Sequence, residues 1–461
     1  MAGLNGLLGI ARDALMAQAY GLGVTSQNVS NANTPGYARR QALLETWGTR
    51  PPAQGSVHIA GTRRVVDRIV DRRLNEAVGF AFSSSERNEA LERIESLFLD
   101  AGGTGLGSSV QALFSSFTAL SASPADMTVR GQVLAGADEL ARRVRQTADG
   151  ILSAQQDMLG KARTVAGEVT DLAAKIASLN KEIAAAEATG EPALDLRDQQ
   201  ESLARELSQR IDVSSFYDKS GAMVILSAGV ALVEGSHAAR LSVTTTATGG
   251  MAVTVQRSGG AEVDVTSKLE GGTLAGLKQA RDVDAAAALE KLDQLAYDLA
   301  TAVNQQFEAG YGLDGQTGRV LFTVTAPPGT AAALSLSAVM NGHPERVAAA
   351  SSVTSIPGGS DNAVALAQLA NAAICTGGTR TPAEAYSDLA GHVATTKAAA
   401  GRDAEVRGAM QDQINSMRES VSGVSLDEEM VSLSTFQRAY EAAGKILQTV
   451  DQLLAELISK V

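Results

Sequence analysis

A mainly α, elongated fold with a small antiparallel β element is what this sequence predicts, and three observations predict it. Prolines stay out of two long windows. Inside those windows apolar residues recur at alternating spacings of four and three. Between them lies a stretch where the period drops to two and glycine turns multiply. The chain has 461 residues, which at ~150 per domain suggests about three domains.

The ends come first. Leu4, Leu8, Ala11, Leu15, Gln18, Leu22, Thr25 and Val29 form a stripe along one predicted helix. Its small and polar members make it marginal as an isolated helix. At the other end Leu426, Met430, Leu433, Phe436, Tyr440, Ala443, Leu447, Val450, Leu454, Leu457 and Val461 alternate by four and three without a miss. Ser425 with Glu428 three residues on predicts a capping box, and Asp427 and Glu429 suit the positive end of the helix dipole. Two such segments can bury each other, and neither is stable alone.

The ten prolines leave Pro124 to Pro192, and everything after Pro382, free for long helices. From Val144 a seam runs through Ala148, Ile151, Gln155, Met158, Ala162, Val165, Val169, Leu172, Ile176, Leu179, Ile183 and Ala186, with only Gln155 breaking it. A 3.5-residue period over about six heptads predicts coiled-coil packing in an elongated rod. Next, Ala222–Leu226, Ala231–Val233, Leu241–Thr246, Met251–Val255 and Glu262–Val265 read as a β-meander of about five short strands. Helical spacing returns at Leu289, Leu292, Ala296, Leu299, Val303 and Phe307, a Gly/Pro-rich stretch interrupts, and helices resume at Asp361 and Ala383. The expected organisation is nested: a terminal helical coiled-coil domain from 1–60 and 422–461, a helical rod from 61–212 and 273–421, the β-meander at 213–272, and a reduced outer insertion or loop at 310–359.

Composition narrows the function classes. One Trp, 7 Tyr and 9 Phe are too few for an aromatic-rich enzyme core, yet 44% apolar content is too much for a disordered chain. A net charge of −12 argues against general nucleic-acid binding. Four scattered histidines and a single cysteine, Cys375, supply neither a metal cluster nor a disulfide framework. No stretch approaches the ~18 apolar residues of a membrane span, and no cleaved secretory signal is expected at the N-terminus. No cofactor is expected.

Two glycine-rich runs invite chemical readings and do not sustain them. Gly102-Gly103-Thr104-Gly105-Leu106-Gly107 lacks the lysine of a phosphate-binding loop and follows a helical segment, so it reads as a helix–helix connection. Leu313-Asp314-Gly315-Gln316-Thr317-Gly318 lacks the later ligands of a calcium loop and reads as a turn. No nucleophile sits with a histidine or acid at a catalytic spacing. Charge is more informative. Arg39, Arg40, Arg50, Arg63, Arg64, Arg68, Arg72 and Arg73 face only Glu45, Asp67 and Asp71 in that segment, whereas residues 425–461 are acidic overall. That asymmetry predicts charge complementarity within or between subunits.

Specific motifs then carry a resemblance. Ser26-Gln27-Asn28-Val29-Ser30-Asn31-Ala32-Asn33-Thr34-Pro35-Gly36-Tyr37 is similar to the N-terminal motif of bacterial flagellar axial proteins. Ser422-Gly423-Val424-Ser425-Leu426-Asp427-Glu428-Glu429, followed by Phe436-Gln437-Arg438-Ala439-Tyr440, resembles their C-terminal motif. Leu179-Asn180-Lys181-Glu182-Ile183, Asp195-Leu196-Arg197-Asp198-Gln199, Gly310-Tyr311-Gly312-Leu313-Asp314-Gly315 and Ser360-Asp361-Asn362-Ala363-Val364-Ala365-Leu366-Ala367 narrow it to the hook-associated protein 1 family. Two departures stand out. Larger members carry a β insertion after the Gly-Tyr-x-Leu-Asp-Gly turn, which here is missing or reduced, and Ala38-Arg39-Arg40-Gln41 replaces the usual Ser-Arg-Gln.

The resemblance implies a non-catalytic axial protein that self-assembles as a ring or tube layer at the hook–filament junction. It implies hook protein and hook-associated protein 3 as neighbours, export through the flagellar type III apparatus, and a small secretion chaperone before export. It places the assembly interface on Leu4, Leu8, Leu15, Leu22, Asn31, Asn33, Pro35, Gly36, Tyr37, Leu433, Phe436, Tyr440, Leu447 and Leu454. The chaperone would read Leu433, Phe436, Tyr440, Leu447 and Leu454. A hook or distal rod protein shares the terminal motifs but not the long heptad seam. A cytoplasmic helical signalling adaptor accounts for the heptads but not for the Asn-Thr-Pro-Gly-Tyr loop.

Overall fold

A computed structural model describes residues 2–47, 55–99, 103, 105–188, 190, 192–257 and 259–459. Arg50, Pro51 and Pro52, Gly102 and Thr104 of the glycine run, and Val461 of the C-terminal stripe lie outside the described residues, as does the side chain of Leu457.

Helix α1 (Ala2–Ser30) leads into an antiparallel hairpin, β1 (Arg40–Trp47) with β2 (Ser56–Arg64). Four helices follow: α2 (Arg68–Ser96), α3 (Leu106–Ala122), α4 (Met127–Glu187) and α5 (Leu194–Ser208). Strands β3 (Ser214–Tyr217), β4 (Met223–Ser227), β5 (Val230–Glu234) and β6 (His237–Ala238) make one sheet in that order. Strands β7 (Arg240–Thr245), β8 (Met251–Gln256) and β9 (Glu262–Asp264) make a second. Helices α6 (Gly272–Gln279) and α7 (Ala286–Glu308) are joined by a π-helical segment, Ala280–Ala285. After a two-residue pairing of β10 (Phe322–Thr323) with β11 (Ser335–Leu336), which flanks α8 (Thr330–Ala333), come α9 (Asp361–Gln368), α10 (Pro382–Ser422) and α11 (Leu426–Ser459).

The expected long central helix is α4, 61 residues and so about 90 Å long. Asp126 caps it, accepting from the Thr128 amide at 2.7 Å. Its seam is buried from Val144 to Ile183 except at Gln155, which is half-buried. No single long partner covers that seam. Helices α3, α5, α6 and α8 and the strands β5 to β7 cover it in turn, because its many alanines let short elements approach closely. One continuous hydrophobic core results, running from Leu91 to Ala400.

The break at Gln155 has a local cause. Gln155 Nε2 donates to the Arg281 carbonyl at 3.0 Å, and Arg281 Nε donates back to the Gln155 carbonyl at 3.2 Å. Arg281 lies in the π-helical segment, where an i→i+5 ladder disturbs the usual backbone pairing. The polar seam residue therefore serves the irregular turn opposite.

Three sequence expectations change. The segment read as part of a helical end, 1–60, contains β1 and most of β2, and the boundary at 60 falls inside β2. Its alternation is blurred by a register shift at Leu43/Leu44 opposite Gly61, whose φ is 129°. The meander of about five strands is seven strands in two sheets; β3, an edge strand with an exposed Phe216, and the two-residue β6 carried too little pattern to be seen. The 310–359 segment folds inward: Leu321, Phe322, Ala331, Leu334, Met340 and Val347 to Ala350 are all buried.

Candidate assembly site where the chain ends meet

The two ends of the chain are fastened by a polar clasp. Asn28, near the end of α1 and 1% exposed, donates through Nδ2 to the Arg40 carbonyl at 2.8 Å and to Glu429 Oε2 at 3.0 Å. Its Oδ1 accepts from the Arg40 amide at 2.9 Å and the Tyr37 hydroxyl at 2.8 Å. Glu429, 2% exposed in the first turn of α11, also receives Arg39 Nε at 2.7 Å, while Arg39 Nη1 reaches Glu428 Oε2 at 2.8 Å. The Arg39 amide donates to the Ser422 carbonyl at 2.9 Å, where α10 ends. Every hydrogen-bonding position of the Asn28 amide group is used, which is what a buried side-chain amide requires. Burial pushes the Tyr37 hydroxyl up to about 12, so it acts as a neutral donor.

The Asn-Thr-Pro-Gly-Tyr loop is the turn that makes the clasp possible. Asn31 donates to the Gln27 carbonyl at 2.9 Å and accepts from the Thr34 hydroxyl at 3.2 Å. Gly36 takes φ 84°, a left-handed conformation that glycine adopts without steric cost, and this returns Tyr37 toward Asn28. Asn33 and Pro35 are exposed. The capping box expected at Ser425 forms by half. Its hydroxyl lies 3.5 Å from the Glu428 amide, but the Glu428 carboxylate turns to Arg39.

Behind the clasp a second charge layer ties it to the body. Arg40, whose side chain is 4% exposed, lies over the Tyr37 ring at 5.0 Å and pairs with Asp195 and with Asp198 Oδ2 at 3.3 Å. Arg64 from β2 meets Asp198 Oδ1 at 2.7 Å and pairs with Glu201. Of the basic segment, Arg40 and Arg64 are thus neutralised by α5, and Arg39 is the link to the acidic C-terminal segment. Burial raises the Asp198 carboxyl, and the two arginines oppose that shift.

Beyond the clasp α1 and α11 lie against each other. The Phe436 ring sits over Gly21 so closely that a Cβ there would meet it at 2.6 Å. Leu4, Leu8, Leu15 and Leu22 on α1, and Leu433, Phe436, Leu447 and Leu454 on α11, are half-buried, whereas Ala443 and Val450 are fully buried. Tyr440 is 43% exposed, at the margin of the stripe. Another part of α1 faces the hairpin, with the Tyr20 hydroxyl 2.7 Å from Thr62 Oγ1. Candidate site residues from the sequence therefore lie in this region, but the residues that lock it were not among them: Asn28, Arg39, Arg40 and Glu429. Their signal was present as polar residues of the two terminal motifs, 401 positions apart.

The inner motifs are clamps as well. Buried Asn180 bonds the Met223 amide and carbonyl and the Gly235 carbonyl, with Gln200 Nε2 on its Oδ1 at 2.8 Å. Gly310 packs so tightly on Asn362 that a Cβ would lie 2.1 Å from Nδ2, and Asn362 donates to the Ala348 carbonyl at 2.7 Å. Asp314 turns its own loop, 2.6 Å from Arg319. Among the described residues no group of three or more His, Cys, Asp or Glu could hold a metal ion, and no helix is long and apolar enough to cross a membrane. Burial pushes the Cys375 thiol up to about 12, leaving it a small buried residue.

Comparisons with known proteins follow the same division. The family model of the flagellar hook-associated protein FlgK helical domain matches residues 91–322. A flagella basal body rod protein model matches residues 8–37, and a flagellar basal body rod FlgEFG protein C-terminal model matches 418–460. These two segments are the ones the clasp joins. Flagellar hook-associated protein 1 of Bacillus subtilis (strain 168) is 26% identical over 97% of each chain. That of Escherichia coli (strain K12) is 23% identical over 99% of this chain and all of its own. The solved structure of the flagellar hook junction protein FlgK from Burkholderia pseudomallei shares the fold, with a TM-score of 0.68 and 15% identity over 76% of this chain and all of that one.

Proposed function

The chain belongs to the flagellar hook-associated protein FlgK family, and on that premise we propose that it polymerises at the hook–filament junction as an adaptor layer between hook and filament. It is a structural protein of the bacterial flagellum. The observation that carries the finer reading is the clasp. Asn28, Arg39 and Glu429 join residues from opposite ends of the chain into one two-helix leg, fixed to the body through Arg40 and Asp198. A leg with a set angle to its body is what a repeating layer needs, because each subunit must present the same faces to the next.

In this reading the leg, α1 with α11, builds the inner tube, and the helical rod, 61–212 with 273–421, and the sheets at 213–272 form the outer wall, into whose core 310–359 folds. The assembly contacts are the half-buried stripe leucines together with the exposed Asn33 and Pro35. Hook protein on one side and hook-associated protein 3 on the other are the proposed neighbours. Before export through the type III apparatus a small helical chaperone covers α11, with Leu433, Phe436 and Tyr440 as anchors at helical spacing.

The test is imaging of hook–basal bodies from a deletion strain. Filamentless hooks with flagellin released to the medium support the junction role, as does rescue by the whole chain but not by a chain ending at residue 424. Filaments of normal length and number on the deletion strain would overturn it.

A further inference from the structure

Between α2, α5 and β3 lies a cavity of about 220 Å³ walled by Arg68, Arg72, Arg205, Asp71, Glu201 and Tyr217. Its two carboxylates are already engaged: Asp71 by Arg418 Nε at 3.2 Å, Glu201 by Arg64 from outside the cavity and by the Tyr217 hydroxyl of its own wall at 3.2 Å. The arginines are less so. Arg205 Nε is buried without a hydrogen-bond partner, and although Asp71 and Glu201 attract Arg205 across the cavity, neither Arg205 nor Arg72 makes an ion pair among the described residues. Arg68 stacks on the Tyr217 ring at 5.0 Å. Guanidinium groups that hold no ion pair at a small cavity are a receptor for a planar oxyanion.

The rim indicates the source of that anion. Phe216, 50% exposed on the open edge strand β3, lines the same cavity. A free anion gains nothing from an exposed ring, whereas a protein surface does. The chain as a whole carries −12, so a second copy offers many carboxylates to a locally cationic pocket. We propose that this pocket receives the carboxylate of an aspartate or glutamate from a neighbouring copy of the chain in the assembled layer, a contact that rests on the polymerising role above.

Zero-length carbodiimide coupling of an Arg72→Lys variant, in isolated hook–filament particles and in secreted monomer, tests this. An intermolecular amide from position 72 to an acid of another copy, found by mass spectrometry in particles and absent from monomer, is the expected result. Only intrachain products in particles that contain the variant overturn it. As a second measurement, Arg205→Gln should weaken retention of the chain in particles about five-fold at 0.15 M salt, a difference that fades as salt rises, with thermal unfolding of the monomer unchanged or improved. Retention equal to wild type would overturn the proposal, as would saturable millimolar binding of inorganic phosphate by the monomer that Arg205→Gln abolishes. If the unaltered chain is itself absent from junction particles, the junction role fails and the cause is distinguishable from a failure of the pocket.

Discussion

Asn28 and Glu429 stand 401 positions apart in the chain and meet at 3.0 Å, both almost wholly buried. One closes helix α1 and the other opens α11, so this contact sets where the two terminal helices begin to run together. Replacing Asn28 by Ala removes four hydrogen bonds and leaves the Glu429 carboxylate with one buried partner fewer. A cost of about 2–4 kcal/mol is expected. It should fall on the leg, with amide exchange across 430–450 accelerated by about ten-fold or more while α4 stays protected. Unchanged exchange would show that helix packing alone holds the leg.

Gly21 and Gly23 offer a paired test of that packing. A Cβ at Gly21 meets the Phe436 ring at 2.6 Å, whereas at Gly23 nothing lies within 4 Å. Gly21→Val is expected to separate α1 from α11 and to lower leg stability by about 1–3 kcal/mol. Gly23→Ala should be neutral or raise it by up to about 1 kcal/mol through helix propensity. Circular dichroism melts of the two variants, each against the parent chain, measure the difference.

Gln155→Leu would complete the heptad seam of α4, and from pattern alone it should stabilise. The structure predicts the reverse. The Arg281 carbonyl would lose its donor at the π-helical turn, at an expected cost of about 1–2 kcal/mol. A chemical-denaturation midpoint higher than the parent's would contradict the role given to Gln155.

Asp212 carries a pH signature. Burial pushes its carboxyl from an ordinary 3.8 up to about 6, with Glu270 adding to the shift and the Ser227 hydroxyl opposing it from 3.1 Å. A carboxyl with a raised folded-state pKa contributes stability that is present below about 3.8 and lost as the pH rises through about 6. Above pH 6 its ionised form is a penalty. Asp212→Asn should therefore stabilise the chain at pH 7.5 by about 1–2 kcal/mol after allowance for partial solvent access. The advantage should shrink toward zero near pH 4, which unfolding curves at both pH values can establish.

Val450, 4% exposed, and Tyr440, 43% exposed, separate the two uses proposed for α11. Val450→Asp buries a charge between the terminal helices and should free the leg. Tyr440→Ser should leave helix pairing intact and lower chaperone affinity measured by calorimetry by ten-fold or more. Loss of pairing in Tyr440→Ser would merge the two faces into one.

What the sequence determined by itself was whatever is written in local period and in proline placement. The 4–3 alternation in α1, α4 and α11 and the glycine turns around β4 to β9 were legible because a helix or strand buries one face, and that face repeats at fixed spacing. The terminal motifs were legible as words, and so pointed to the family. The tertiary structure alone decided the rest. It seated Phe436 over Gly21 in the expected pairing of α1 with α11, spread the α4 seam over many short partners, and sent Arg40 and Arg64 to Asp198. It also chose Asn28 and Glu429 as the fastening. Side chains that act across hundreds of residues have no local period, because their partner is fixed by how the chain returns and not by what stands next to them.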